Sequence, residues 1–236
     1  MLNPYYMQIF ITDQYTKQDP FLIINDERVL YQCTKVLRYK VGDEIIIQSK
    51  GQRFTTSIDS LDKKSMKVKI LMEESQPKES GNETTLTVAM TNKWDKMELI
   101  CQKASEIGIQ KILIRNSKRS VIQDLSENKI GRINLICVEA AEQSHNRSVP
   151  KIEIVKKIND IPKGYLSYQD GTSHAELQKN NEDLNNIIVG PEGGFEPTEL
   201  KYFQENGYTS IKLGESILRT ESAAIIGAWW LKNKTR

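Results

Sequence analysis

The sequence predicts an α/β protein of two domains, a small N-terminal β-barrel followed by a larger α/β domain. Three observations predict it. Residues 1–75 hold five short β-rich runs separated by turn residues, and a small barrel is the natural way to close so many short strands. Ser75-Gln-Pro-Lys-Glu-Ser-Gly-Asn-Glu83 is polar, carries Pro and Gly, and has no periodicity, so it reads as a linker. From Thr85 onward strand and helix signals alternate, which implies a mainly parallel sheet covered on both faces. The expected domains are therefore 1–74 and 84–236, joined by 75–83.

In the first domain the expected strands are Met7–Ile11, Phe21–Ile24, Glu44–Gln48, Arg53–Asp59 and Met66–Met72. Turns fall at Tyr39–Asp43 and Ser49–Gly51. One helix interrupts them, with Asn25 as N-cap and Val29, Leu30, Cys33, Val36 and Leu37 at helical spacing. In the second domain Thr85–Met90 is a strand. Lys93–Ile107 is a helix with Met97, Ile100, Cys101 and Ala104 on one face, stopped by Gly108. A strand at Lys111–Arg115 precedes a long helix, Asp124–Ser144, with Ile130, Ile133, Cys137 and Ala140 facing inward. Ile152–Val155, Tyr165–Tyr168, Ile187–Val189 and Ile211–Leu213 are strands. Pro197–Asn206 is a helix with Pro in its first turn, and Thr220–Leu231 is the closing helix.

Composition narrows the function. The chain has 236 residues, 38% hydrophobic and 27% charged, which is ordinary for a globular protein with a real core. A net charge of +2 does not by itself announce nucleic acid, but Lys111 to Arg119 holds four positive charges and no acid. Cys33, Cys101 and Cys137 are odd in number and lack C-x-x-C spacing, which argues against a disulfide framework or a structural zinc site. Cys101 and Cys137 are expected in the core. His145 and His174 stand apart from other ligand types, so no metal is expected. The start lacks a signal-peptide pattern, and the longest apolar stretch, Ala223–Leu231, is too short to span a bilayer. The chain reads as cytoplasmic, with no membrane partner.

Two runs carry the chemistry. Ile187-Ile-Val-Gly-Pro-Glu-Gly-Gly-Phe195 and Ile211-Lys-Leu-Gly-Glu-Ser-Ile-Leu-Arg-Thr-Glu-Ser-Ala223 each join an apolar strand to a helix through a glycine-bearing loop. Such loops let backbone groups approach a ligand closely. One alone is an ordinary strand–helix junction; two, the second ending in Arg219-Thr-Glu221, point to a small-ligand site. Neither matches Gly-x-x-x-x-Gly-Lys-Ser/Thr or Gly-x-Gly-x-x-Gly, so a polyphosphate ligand is not expected.

Val189-Gly-Pro-Glu-Gly-Gly-Phe195, Leu213-Gly214 and Ile217-Leu-Arg-Thr-Glu-Ser-Ala223 resemble the cofactor-binding end of the SPOUT-class RNA methyltransferases. Within that class the chain is similar to the bacterial 16S ribosomal RNA uridine-N3 methyltransferases. Lys93-Trp-Asp-Lys-Met-Glu98, Gln102-Lys-Ala-Ser-Glu-Ile-Gly108, Lys118-Arg-Ser120 and Glu139-Ala-Ala-Glu-Gln-Ser144 also look like motifs of that family. Lys35-Val-Leu-Arg38, Val41-Gly-Asp43 and Gly51 are similar to its N-terminal PUA-like barrel. Departures stand at Ser222 for the usual threonine, Trp94 for a common glycine, Asn146 for arginine, and Tyr31-Gln32-Cys33 where many members have histidine.

The resemblance implies a C-terminal trefoil knot, a homodimer, S-adenosyl-L-methionine as cofactor, and a uridine of 16S rRNA in the 30S subunit as acceptor. It implies cofactor binding by Gly190, Pro191, Glu192, Gly193, Gly194, Leu213, Gly214, Ile217, Leu218 and Thr220. Arg219 is expected to stabilise charge on a uracil oxygen or to hold a phosphate. Glu221 is expected either to act as base or to cap its helix. Glu192 either does chemistry or orients its loop. Lys35, Arg38, Arg115, Lys118, Arg119 and Arg147 are the candidate RNA contacts. The rival readings are another SPOUT enzyme, acting on ribose or a different base, and a non-catalytic ribosome-assembly protein. Trp229 and Trp230 are adjacent on one helix, so one is expected to face the core and the other a partner surface.

Overall fold

The computed structural model describes residues 7–75, 83–116, 126–177 and 184–234. The chain divides into two compact units, Met1–Ser80 with Glu142–Arg147, and Gly81–Ala141 with Ser148–Arg236. Most of the expected linker lies outside the described residues; its first residue, Ser75, ends a strand.

The first unit is a six-stranded sheet of β1 (Ile9–Ile11), β2 (Tyr15–Gln18), β3 (Phe21–Ile24), β4 (Glu44–Ser49), β5 (Gln52–Leu61) and β6 (Met66–Ser75). The strand order is β1-β4-β5-β6-β3-β2. Among the described residues, β1 and β2 are its two edges, so strand pairing does not close the expected barrel. The sequence pattern missed β2, which is polar along most of its length and half-buried at Tyr15 only. In β5, Phe54, Thr56 and Ile58 alternate inward with the period of two that a one-sided core demands. Phe54 and Ile58 meet Phe10, Leu22, Ile24, Ile45, Ile47 and Val68 in one apolar cluster.

Helix α1 (Glu27–Tyr31) is capped by Asp26, not by Asn25 as the pattern predicted. Its carboxylate accepts from Arg28 N at 2.9 Å and Val29 N at 3.2 Å. The helix then widens into a π turn, Gln32–Val36, where Leu37 N donates to Gln32 O. That extra residue breaks the 3.6 period. Val29, Leu30 and Cys33 stay buried, whereas Val36 and Leu37 turn outward, 59% and 44% exposed.

The second unit is a six-stranded parallel sheet in the order β12-β10-β11-β7-β8-β9. Its strands are β7 (Thr85–Ala89), β8 (Lys111–Arg115), β9 (Lys151–Val155), β10 (Tyr165–Ser173), β11 (Asn186–Val189) and β12 (Thr209–Lys212). Helices α2 (Trp94–Ile107), α3 (Glu127–Gln143), α4 (His174–Leu177), α5 (Pro197–Glu205) and α6 (Thr220–Asn233) connect or follow them. Gly108 ends α2 with φ 87, as its position predicted. The central strands β7 and β11 are buried at every residue, as strands covered on both faces must be.

Alternate residues feed two cores. Ile187 and Val189 join Leu86, Val88, Met97, Cys101, Cys137 and Trp230 on one face. Ile188 joins Leu113, Leu166, Phe195 and Phe203 on the other, so it is plain core. The last helix lies close on the first of these faces because Gly227 has no side chain. A Cβ there would stand 3.0 Å from Ile187 Cγ1. Trp230 is buried edge-to-face on Tyr165 at 4.8 Å, and Trp229 points outward, 60% exposed. No helix among the described residues is long and apolar enough to cross a membrane.

Candidate cofactor site

In a parallel sheet all carboxyl ends lie on one edge, and ligands bind beyond it where the strand order reverses. Here β7 and β11 are neighbours although far apart in sequence, and β10 lies between β11 and β12. The two glycine loops, which follow β11 and β12, therefore converge on the end of β10. They enclose a cavity of about 420 Å³. Gly190, Pro191, Glu192 and Gly194 line it from the first loop; Leu213, Gly214, Ile217, Leu218, Arg219 and Thr220 line it from the second. Gly193 and Glu221 are not among its lining residues. The sequence pattern missed Ser167, Tyr168 and Gln169 of β10, which complete the wall. Only the strand order could have found them, and that order is a long-range property.

Local geometry shapes each wall. Gly194 N donates to Pro191 O at 2.8 Å, closing a tight turn, and Gly194 sits at φ +71, the left-handed region that glycine favours. Phe195 is buried under the turn, and a Cβ at Gly190 would stand 3.1 Å from its ring. Thr220 Oγ1 donates to Gly190 O at 3.3 Å, joining the first loop to the head of α6. Ile217 is 80% exposed and gives the cavity an apolar rim. Gly214 also lines the cavity, and a Cβ at that position would have no atom within 4 Å, so a side chain there meets open space.

Charge collects beside the first loop. Lys96 Nζ lies 2.9 Å from Glu192 Oε1 and 3.5 Å from Glu221 Oε2. The Asn92 N–H reaches both Glu192 oxygens at 3.3 Å. These contacts tie Glu192 to Asn92 and Lys96. Glu221 Oε2 is shielded from solvent, and α6 has no side-chain N-cap among the described residues. Arg219 is exposed, and its side chain has no partner among the described residues.

The candidate RNA contacts divide. Lys35 and Arg38 are exposed on the first unit. Lys118 and Arg119 lie outside the described residues. Arg147 is half-buried and pairs with Glu74 at 2.9 Å. Arg115 is a correction: it is 3% exposed, bound to Glu199, and 5.7 Å from the ring centres of both Phe195 and Phe203. Its guanidinium is a core group beneath the first loop and presents nothing to a phosphate. Glu199 Oε2 also accepts from Glu196 N at 2.9 Å, so the pair is fixed to the start of α5.

Comparison with known proteins points the same way. Residues 78–232 match the family model described as an RNA methyltransferase domain, and this defines the class. The ribosomal RNA small subunit methyltransferase E of Rickettsia conorii is 31% identical over 233 residues, 93% of this chain and 92% of the relative. The ribosomal RNA small subunit methyltransferase E 2 of Borreliella burgdorferi is 28% identical, covering 96% of this chain and 97% of the relative. The fold is shared with the crystal structure of the Neisseria gonorrhoeae ribosomal RNA small subunit methyltransferase E bound to S-adenosyl methionine. The TM-score is 0.82 at 24% identity, covering 94% of this chain and 95% of that one. The chain belongs to the ribosomal RNA small subunit methyltransferase E family.

Proposed function

We propose that the chain transfers a methyl group from S-adenosyl-L-methionine to N3 of a uridine in 16S rRNA of the 30S subunit. The observation that carries this is the cavity walled by three strand ends, with the exposed guanidinium of Arg219, unpartnered among the described residues, at its rim. The residues suit the cofactor. Val189, Leu213, Ile217 and Leu218 offer an apolar slot, the two loops offer backbone donors and acceptors, and Gly214 leaves room. A relative of the same fold carries this cofactor. When bound, it supplies a methyl already activated on a sulfonium. The chain then has three tasks: to hold it, to align the acceptor, and to favour loss of the N3 proton. Arg219 favours the anionic base by facing a uracil oxygen. Glu221, shielded and beside Lys96, is better placed to hold charge in order than to collect a proton.

Lys35 and Arg38 on the first unit, and Lys118 and Arg119 after β8, are the proposed backbone contacts to RNA. The reading includes a PUA-like first unit, the C-terminal knot and action in the cytoplasm. It also includes a homodimer. Ile107, Ile225, Ile226 and Trp229 form an exposed apolar groove on α2 and α6, which a second copy would cover. Sedimentation at micromolar concentration should give twice 27.1 kDa, and Trp229→Glu should give the monomer.

Nucleoside mass spectrometry of 16S rRNA from a deletion strain tests the reaction. Loss of 3-methyluridine, restored by the gene, is the expected result. Loss of a ribose-methylated nucleoside, or no change, would remove the N3 assignment. The cavity has its own test. Gly214→Val should weaken S-adenosylmethionine by at least about tenfold, since a branched side chain enters the space the ligand needs. Its melting temperature should not move, because the position is open. Calorimetry, run with EDTA present, measures both the affinity and its independence of metal.

A further inference from the structure

We propose that Lys96 is a positioning residue for the transfer site. It fastens the loop after β11 and the head of α6 to the head of α2, and so sets the shape of the cavity. The proposal rests on the methyltransferase reading. Its first support is geometry: one ammonium lies 2.9 Å from Glu192 on the loop and 3.5 Å from Glu221 on the helix. Its second is the backbone of Asn92, which reaches both Glu192 oxygens from the start of the segment that carries Lys96. Glu192 lines the cavity and Lys96 does not, so Lys96 acts through Glu192 and not on the ligand.

An exposed ion pair would contribute little. This one is different in kind. The Lys96 side chain is 20% exposed and that of Glu221 16%, and among the described residues Lys96 is the one cation that pairs with Glu221. Two carboxylates depend on one cation. Without it, two like charges remain beside each other on the segments that wall the cavity, and repulsion favours their separation. The Thr220–Gly190 hydrogen bond also links those segments, but it is long at 3.3 Å.

The pH dependence gives a signature. The charged groups around Glu192 are Lys96 from α2 and Glu221 from α6, which lies 3.5 Å from the same ammonium. Burial pushes the Glu192 carboxyl up. The hydrogen bond from Lys96, the backbone N–H groups of Glu192 and Asn92, and the Lys96 charge together outweigh it and hold the group below its usual range. A depressed value means that the clamp is intact above the ordinary carboxylate range and is lost only as pH falls through the lowered value. Removing Lys96 abolishes the clamp and leaves burial with less to oppose it, so Glu192 protonates at higher pH than in the wild type, and its repulsion with Glu221 is relieved as the pH falls.

The test is calorimetry of S-adenosylmethionine on the full chain at about pH 8 and about pH 5.5, a range above the ordinary carboxylate value. Wild type should bind almost equally at both. Lys96→Met should bind about tenfold more weakly at the upper pH and recover part of that loss at the lower, where protonation of Glu192 relieves the like-charge repulsion, whereas Lys96→Arg should stay within about threefold. Glu192→Gln should lose about tenfold, and the double variant no more than the worse single one, because both remove one clamp. Wild-type affinity in Lys96→Met at both pH values overturns the proposal, as does an additive loss of about a hundredfold in the double variant. If Lys96→Met does not fold, Lys96→Gln, which keeps a donor without the charge, takes its place in the same comparison. A wild-type chain that binds no S-adenosylmethionine overturns the methyltransferase reading and this proposal together. Wild-type binding with an indifferent Lys96 overturns the proposal alone.

Discussion

Arg219→Ala should lower methyl transfer to 30S particles by about a hundredfold, the usual cost of losing one group that stabilises developing charge. Cofactor affinity should change by less than about threefold, since the benefit arises mainly in the transition state. The structure makes this a clean substitution. Arg219 is the N-cap residue of α6, but its side chain does not cap the helix; its carbonyl accepts from Ala223 N at 2.8 Å. Stability should therefore shift by no more than about 0.5 kcal/mol. Arg219→Lys keeps the charge and loses the planar fork, so it should restore little. Raising the pH should partly rescue Arg219→Ala, because solvent then supplies more of the uracil anion. Activity and cofactor affinity falling together, with no rescue at high pH, would make Arg219 part of the cofactor site instead.

What the sequence disclosed and what it hid follow one rule. Each glycine loop was legible because strand, glycine and helix are adjacent in the chain, and adjacency is what a pattern can see. The convergence of the loops on β10 was not, because it depends on β11 pairing with β7 across about a hundred residues. Lys96 is visible as one lysine in a motif, but its partners Glu192 and Glu221 are far along the chain. Arg115 shows how a local signal misleads. It belongs to the basic run Lys111–Arg119, yet two residues earlier Leu113 marks the face that packs under Phe195 and Phe203. A period of two from Leu113 places Arg115 on that same inward face, and this signal was present in the sequence. The π turn after α1 hid in the same way, since Val36 and Leu37 keep a helical spacing that the backbone does not follow.

Glu142→Ala should destabilise the first unit by about 3 kcal/mol, the lower end for breaking a buried ion pair. Glu142, in the last turn of α3, groups with that unit, and its side chain is 4% exposed. It accepts from Ile11 N at 2.7 Å and from Arg28 Nη1 and Nη2 at 3.0 and 2.8 Å. Arg28 Nη2 also donates to Ile11 O at 2.8 Å, so the carboxylate, the guanidinium and the backbone of β1 form one closed set. Alanine leaves the Ile11 donor unmatched and withdraws the charge that offsets a half-buried guanidinium. The lower end applies because Arg28 keeps the Ile11 carbonyl and Gln32. Glu142→Gln preserves the shape and one acceptor, so it should cost only about 1–2 kcal/mol. For a chain of this size a loss of about 3 kcal/mol corresponds to a fall of about 6–12 °C in melting temperature. Urea unfolding of the three proteins measures it. A change below about 1 kcal/mol in Glu142→Ala would mean that desolvation already cancels the pair, and that β1 is held by its ladder to β4 alone.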